Sequence, residues 1–83
     1  MPYISPKWRT DLLDHYPKDV GELTYCLTVE VDRYLERHQL SYAHIAEGVA
    51  ALECAKLELY RRVAAGYENG KMHENGDVYR CIA

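Results

Sequence analysis

Apolar positions along this chain recur at three- and four-residue intervals, a period nearer 3.6 than 2, which predicts helices and no sheet. Three stretches carry the pattern. In the first, Ser5 can cap, Pro6 suits the first helical position, and Lys7 to Tyr16 follows with Trp8, Leu12 and Leu13 on one face. Pro17 ends this arm, because the residue before a proline is pushed out of the α region. The second stretch runs from about Asp19 to His38. Asp19, with Glu22 three residues on, makes a capping-box-like start, and Leu23, Leu27, Val31, Tyr34 and Leu35 share a face. The β-branched Thr28, Val29 and Val31 weaken this helix slightly.

His38-Gln39-Leu40 forms a connector, and Ser41 caps the third stretch, Tyr42 to about Ala65. Ile45, Val49, Leu52, Leu59 and Val63 lie along one stripe, with Ala55 or Lys56 at the missing step. Ala46, Ala50, Ala51, Ala55 and Ala64 favour the helix and permit close approach of a neighbour. Gly48 costs about 1 kcal/mol relative to alanine inside a helix, which fits close packing against the second stretch. Two helices with a short connector predict an antiparallel αα-hairpin. The expected fold is all-α in one small domain: an arm over 1–17, a hairpin over 19–66, and an irregular or turn-containing tail over 67–83.

Glu-Asn-Gly occurs twice in the tail, at residues 68–70 and 74–76. Asn69-Gly70 can close a helix in a left-handed cap, and Asn75-Gly76 can make a tight turn ahead of a short extended segment from Asp77 to Ile82. A stop and a turn account for the tail without a ligand. The rival reading folds the tail over the hairpin as a binding loop.

At 83 residues the chain buries only about 60–65% of the surface its unfolded form exposes. That thin margin favours a homodimer or higher assembly, formed through the third helix and its tyrosines. The aromatic set is eight Tyr, one Trp and no Phe, which suits half-covered positions and interfaces. A net charge of −3 argues against a dominant phosphate-binding surface. No apolar run approaches membrane-spanning length, and the first residues carry no signal-peptide pattern. Cys26, Cys54 and Cys81 are an odd number without a C-x-x-C pair, which fits reduced thiols in a cytoplasm.

Candidate chemistry is sparse. At about 100° per residue, Glu47 and Glu58 fall almost on one line with His44 close by, a weak metal arrangement. The second stretch adds only Glu22, Glu30, Asp32 and Glu36, and a solvated face with a Glu58–Arg62 pair explains the same residues. Tyr60 and Tyr67 beside Arg61-Arg62 could stack a base and hold a phosphate, and Lys7-Trp8-Arg9 has the same chemistry. Cations set against a helix end are the plain alternative. The thiols lack adjacent activating groups, His15, His38, His44 and His73 are scattered, and no nucleophile elbow, phosphate loop or zinc-protease motif is present. No cofactor is expected.

The segments GELTY (Gly21 to Tyr25), LECAKLELYRR (Leu52 to Arg62) and YENGKMHENGDVY (Tyr67 to Tyr79) resemble a group of small uncharacterised proteins of bacteria and tailed phages. In that group a proline can stand at the position of Gly66, which implies a break or kink before Tyr67. The resemblance implies an accessory factor and brings no catalytic residue. The reading that follows is a non-catalytic helical interaction module acting through a protein partner. Its contact residues are Tyr60, Arg61, Arg62, Tyr67, Lys71, Asn75, Asp77 and Tyr79. The alternative is a nucleotide or single-stranded nucleic-acid binder using Tyr60, Arg61, Arg62, Lys71 and the tail tyrosines.

Overall fold

The computed structural model describes residues 3–12 and 16–82. All regular structure among them is helical: α1 (Pro6–Asp11), α2 (Val20–His38), α3 (Tyr42–Leu59), a π-helical turn (Tyr60–Ala64) and α4 (Ala65–Asn75). The chain divides into two compact units, Met1–Gly48 and Val49–Ala83, with α3 beginning in the first and continuing into the second.

In the first unit, α1 starts where Pro6 predicts, although the Ser5 side chain makes no capping bond. It closes at Asp11, shorter than the expected run to Tyr16, which is not helical; Leu13 lies outside the described residues. Trp8 and Leu12 share a face beside Lys18 and Glu22. Arg9 sits 5.7 Å over the ring of Tyr25, and Leu12 borders a depression with Tyr25, Cys26 and Val29, so α1 packs on α2.

The start of α2 is reciprocal. Asp19 Oδ1 accepts the Glu22 N–H at 2.9 Å, and Glu22 Oε1 accepts the Lys18 N–H at 2.9 Å. Two otherwise unpaired donors are satisfied, with the second one residue earlier than the usual box. At the other end, Gln39 takes φ 70°, and Ser41 Oγ accepts the His44 N–H at 3.1 Å to open α3. The first turns of α3 return antiparallel to the end of α2. Gly48 faces Val31, and a Cβ at Gly48 would sit 3.0 Å from Val31 Cγ1. The glycine therefore marks the close approach that its place in the sequence predicts.

In the second unit the helix runs farther than the Asn-Gly signals predict. It passes through Gly66 and Asn69-Gly70 and ends only at Asn75, where Gly76 takes φ 87° and donates its N–H to Met72 O at 2.8 Å. The tail expected to be irregular from Tyr67 is therefore helical over its first half. Asn and Gly tolerate a stop without imposing one, and Lys71, Met72 and Glu74 are good helix formers. Beyond Gly76 the chain meets Asp77-Val78-Tyr79, a weak helical continuation, and the stop takes hold there. No proline or positive φ marks the helix before Tyr67; the irregularity is the π turn, where Ala65 N–H reaches back to Tyr60 O. A methyl added at Gly66 or Gly70 would meet open space, so no packing requires these glycines. Replacing Gly70 with Ala is therefore expected to raise stability by about 1 kcal/mol, read as a higher melting midpoint by circular dichroism. An unchanged midpoint would mean that α4 is not helical through Gly70 in solution.

Burial is scarce throughout. Among the described residues no hydrophobic side chain is buried, and Gly48 is the only buried residue. Among the described residues of the second unit only Ala64 and Ala65 are half-buried. No helix among the described residues is long and apolar enough to cross a membrane.

Candidate functional site

Two places gather polar chemistry, one in each unit. The first is the corner between α2 and α3. Tyr34 donates its hydroxyl proton to Glu47 Oε1 at 2.6 Å and stacks on His38 at 4.1 Å between ring centroids. His38 meets His44 edge-on at 5.7 Å. His44 Nδ1 lies 2.6 Å from Gln39 O and His38 Nδ1 lies 2.9 Å from Tyr34 O. A carbonyl only accepts, so both rings carry their proton on Nδ1. The bonds anchor each ring to the backbone of the turn.

This corner holds two of the three candidate metal ligands, His44 and Glu47. Glu47 serves Tyr34, and His44 serves the turn. Glu58 instead accepts two bonds from Arg61, at 3.0 and 3.1 Å. Among the described residues no group of three or more His, Cys, Asp and Glu side chains is placed to hold a metal ion.

The bond to Glu47 raises the Tyr34 hydroxyl above its ordinary value of 10.0; desolvation and the Glu47 charge push the same way. A phenol is neutral when protonated, and the folded state holds that proton more tightly. The contribution is thus complete below the ordinary value and is lost as pH rises through the raised one. Tyr34→Phe is expected to lower the melting midpoint modestly at neutral pH and to flatten its alkaline decline. Melts from neutral to strongly alkaline pH test this, and parallel curves for the two proteins would count against the bond.

The second place is a groove of about 530 Å³ on the second unit. Tyr60, Ala64, Glu68 and Met72 line it at successive four-residue steps along the π turn and α4, with Asn69 and Lys71 alongside. The far wall is the tail. Gly76 reverses the chain, Asp77 Oδ1 accepts the Tyr79 N–H at 2.9 Å, and Gly76, Asp77, Val78 and Tyr79 complete the lining. Asn75 stays helical and only Gly76 of the pair takes positive φ, so the tight turn expected of Asn75-Gly76 gives way to a helix end, the role expected of Asn69-Gly70, and the residues after it build the wall.

Of the predicted contact residues, Tyr60, Lys71, Asp77 and Tyr79 line the groove, while Arg61, Arg62, Tyr67 and Asn75 do not. Lys71 lies 5.8 Å over the Tyr67 ring and 3.5 Å from Glu74 Oε2. Arg61 is held by Glu58. Arg62 forms no ion pair among the described residues. Glu68 and Asp77 make the groove's rim acidic, a poor setting for a phosphate. At the other end of the chain, Lys7 and Lys18 lie 5.8 and 5.9 Å from the Trp8 ring, so that cluster is engaged with itself. Ala64, Glu68, Asn69, Met72 and Val78 escape a sequence reading that ends the helix at Gly66. The four-residue row through Tyr60 is the signal that a longer helix would have revealed.

Residues 1–78 match the family described as a domain of unknown function (DUF6899). No curated protein and no solved structure matches the chain.

Proposed function

We propose that this chain, which belongs to the DUF6899 family, works as a non-catalytic helical interaction module whose fold is completed by a second copy of itself. The observation that carries the reading is the absence of any buried hydrophobic side chain among the described residues. Stability of a domain comes chiefly from apolar burial, so a chain with this exposure needs cover.

The groove of the second unit serves as the docking place for a protein partner. Its lining is apolar at Ala64, Met72 and Val78, aromatic at Tyr60 and Tyr79, and carries Glu68 and Asp77 against one described cation, Lys71. Tyrosine and methionine are frequent in adaptable protein contacts. The resemblance to bacterial and phage proteins fits an accessory role in which such a module binds and modulates another protein. The nucleotide alternative is weaker here, because Arg61 is paired with Glu58 and acidic groups flank the groove.

Sedimentation equilibrium on the untagged protein tests the assembly. A mass twice the chain's 9.6 kDa is expected at micromolar concentration. A well-folded monomer at every concentration would overturn the proposal, since it would mean that one chain covers its own apolar surface.

A further inference from the structure

The corner between α2 and α3 holds two imidazoles in the same protonation pattern. His38 donates its Nδ1 proton to Tyr34 O at 2.9 Å, and His44 donates its Nδ1 proton to Gln39 O at 2.6 Å. A neutral imidazole protonated on Nδ1 keeps its lone pair on Nε2. Among the described residues neither Nε2 has a hydrogen-bond partner. A metal-ligating histidine is commonly held in this way: its other nitrogen bonds a backbone carbonyl, which fixes the tautomer and makes the ligating nitrogen more basic. Both rings are braced further. Tyr34 stacks on His38 with centroids 4.1 Å apart and is itself held by Glu47 at 2.6 Å, while Ser41 Oγ lies 3.1 Å from His44 Nδ1. The two imidazoles stand 5.7 Å apart between centroids. Rings sharing a tetrahedral ion at a metal–nitrogen distance of about 2.0 Å have centroids about 5 Å apart, so a small ring movement reaches that separation.

We infer that Nε2 of His38 and Nε2 of His44 form a two-nitrogen site for a divalent transition ion of the class of Ni²⁺, Cu²⁺ and Zn²⁺, clamping the end of α2 to the start of α3. Imidazole suits these ions, whereas Mg²⁺ and Ca²⁺ take oxygen ligands. Two side chains fall short of a closed site, in keeping with the lack of a cluster of three or more His, Cys, Asp and Glu among the described residues. The remaining positions are open to water or to an incoming donor. The backbone supports the assignment. Gln39 takes φ 70°, a conformation that L side chains rarely adopt, and its carbonyl is the group that orients His44. Strain of this kind concentrates at ligand sites. The pair lies wholly within the first unit, so the site depends neither on self-assembly nor on the groove of the second unit.

Calorimetric titration of the natural chain with Ni²⁺ at neutral pH tests the site. One ion per chain is expected to bind and to raise the melting midpoint. His38→Asn and His44→Asn are the informative variants, because an asparagine amide can keep the bond to the carbonyl while Nε2 is removed. Each is expected to weaken the ion roughly tenfold or more with the metal-free helical signal retained, and His73→Asn is expected to bind as the natural chain does. Should one variant fail to fold, the other still decides. Undiminished binding by a folded His38→Asn or His44→Asn chain overturns the inference, as does a natural chain that takes up no ion. Half an ion per chain would place the two ligands in different copies and overturn it too. Cys26, Cys54 and Cys81 are free thiols that can also take such ions, so a chain with all three changed to serine is titrated alongside. That chain is expected to bind undiminished, and loss of the ion with the thiols overturns the assignment to the imidazoles. Mild acid is expected to release the ion, since protons compete for the ligating lone pairs; an ion that stays bound overturns the assignment as well.

Discussion

Leu52→Glu is expected to sediment as a monomer with much of its helical signal lost, at concentrations where the proposed self-assembly makes the natural protein a helical dimer. Leu52 is 42% exposed in a single chain, so roughly half its side chain still awaits cover. Covering it completely is worth about 2 kcal/mol at most, and a two-fold assembly contains it twice. Losing about 4 kcal/mol weakens association about a thousandfold, before the desolvation of two carboxylates is counted. Helix content falls with it because the described residues of the second unit, from Val49 onward, include only two half-buried alanines to hold it. Leu57→Glu provides the control. Leu57 is equally apolar and 56% exposed, yet it lies off the stripe, and its substitution is expected to leave the mass unchanged. Sedimentation and circular dichroism on the same samples decide the matter. A Leu52→Glu dimer with full helicity would show that the stripe is not an interface.

The second large effect belongs to Gly48. A methyl there would sit 3.0 Å from Val31 Cγ1, a contact that needs a small adjustment. Gly48→Ala sets a gain of about 1 kcal/mol in helix propensity against that contact, so a change near zero is expected. Gly48→Leu leaves no such balance. Val31 is β-branched and stiff, the approach is backbone against side chain, and the overpacking is expected to cost about 3 kcal/mol. The contrast between the two substitutions is the informative quantity, measured by urea unfolding at one fixed protein concentration. If leucine is tolerated as well as alanine, then α2 and α3 do not approach at this point in solution.

Local features of the molecule are the most legible in its sequence. Asp19 with Glu22, Ser41 and Gly48 each announce their roles, because a cap or a close contact depends on one or two side chains acting locally. The all-helical fold follows from the apolar period. Asn69-Gly70 is misleading for a physical reason: the pair permits a left-handed stop, but the helix-forming residues after it outweigh that permission. The π turn at Tyr60–Ala64 has no proline or glycine to mark it, so composition is silent about it. The groove is only partly legible as a result. Tyr60, Lys71, Asp77 and Tyr79 stand out by residue type, whereas Ala64, Glu68 and Met72 gain meaning only when α4 extends the row. The three weak metal candidates are not gathered into a cluster among the described residues for a related reason. Helical spacing aligns His44, Glu47 and Glu58, but each finds a closer partner that periodicity cannot foresee.

The want of buried hydrophobic side chains among the described residues also bears on how temperature acts on the proposed assembly. When apolar surface is covered between chains, the heat-capacity change accompanies assembly more than the folding of either chain. Association then carries a large negative heat-capacity change, and its free energy has a maximum at a moderate temperature. Chilling weakens such an interface just as heating does, because the apolar driving force fades in cold water. A dilute sample of the proposed assembly kept on ice is thus expected to lie closer to falling apart than the same sample at room temperature.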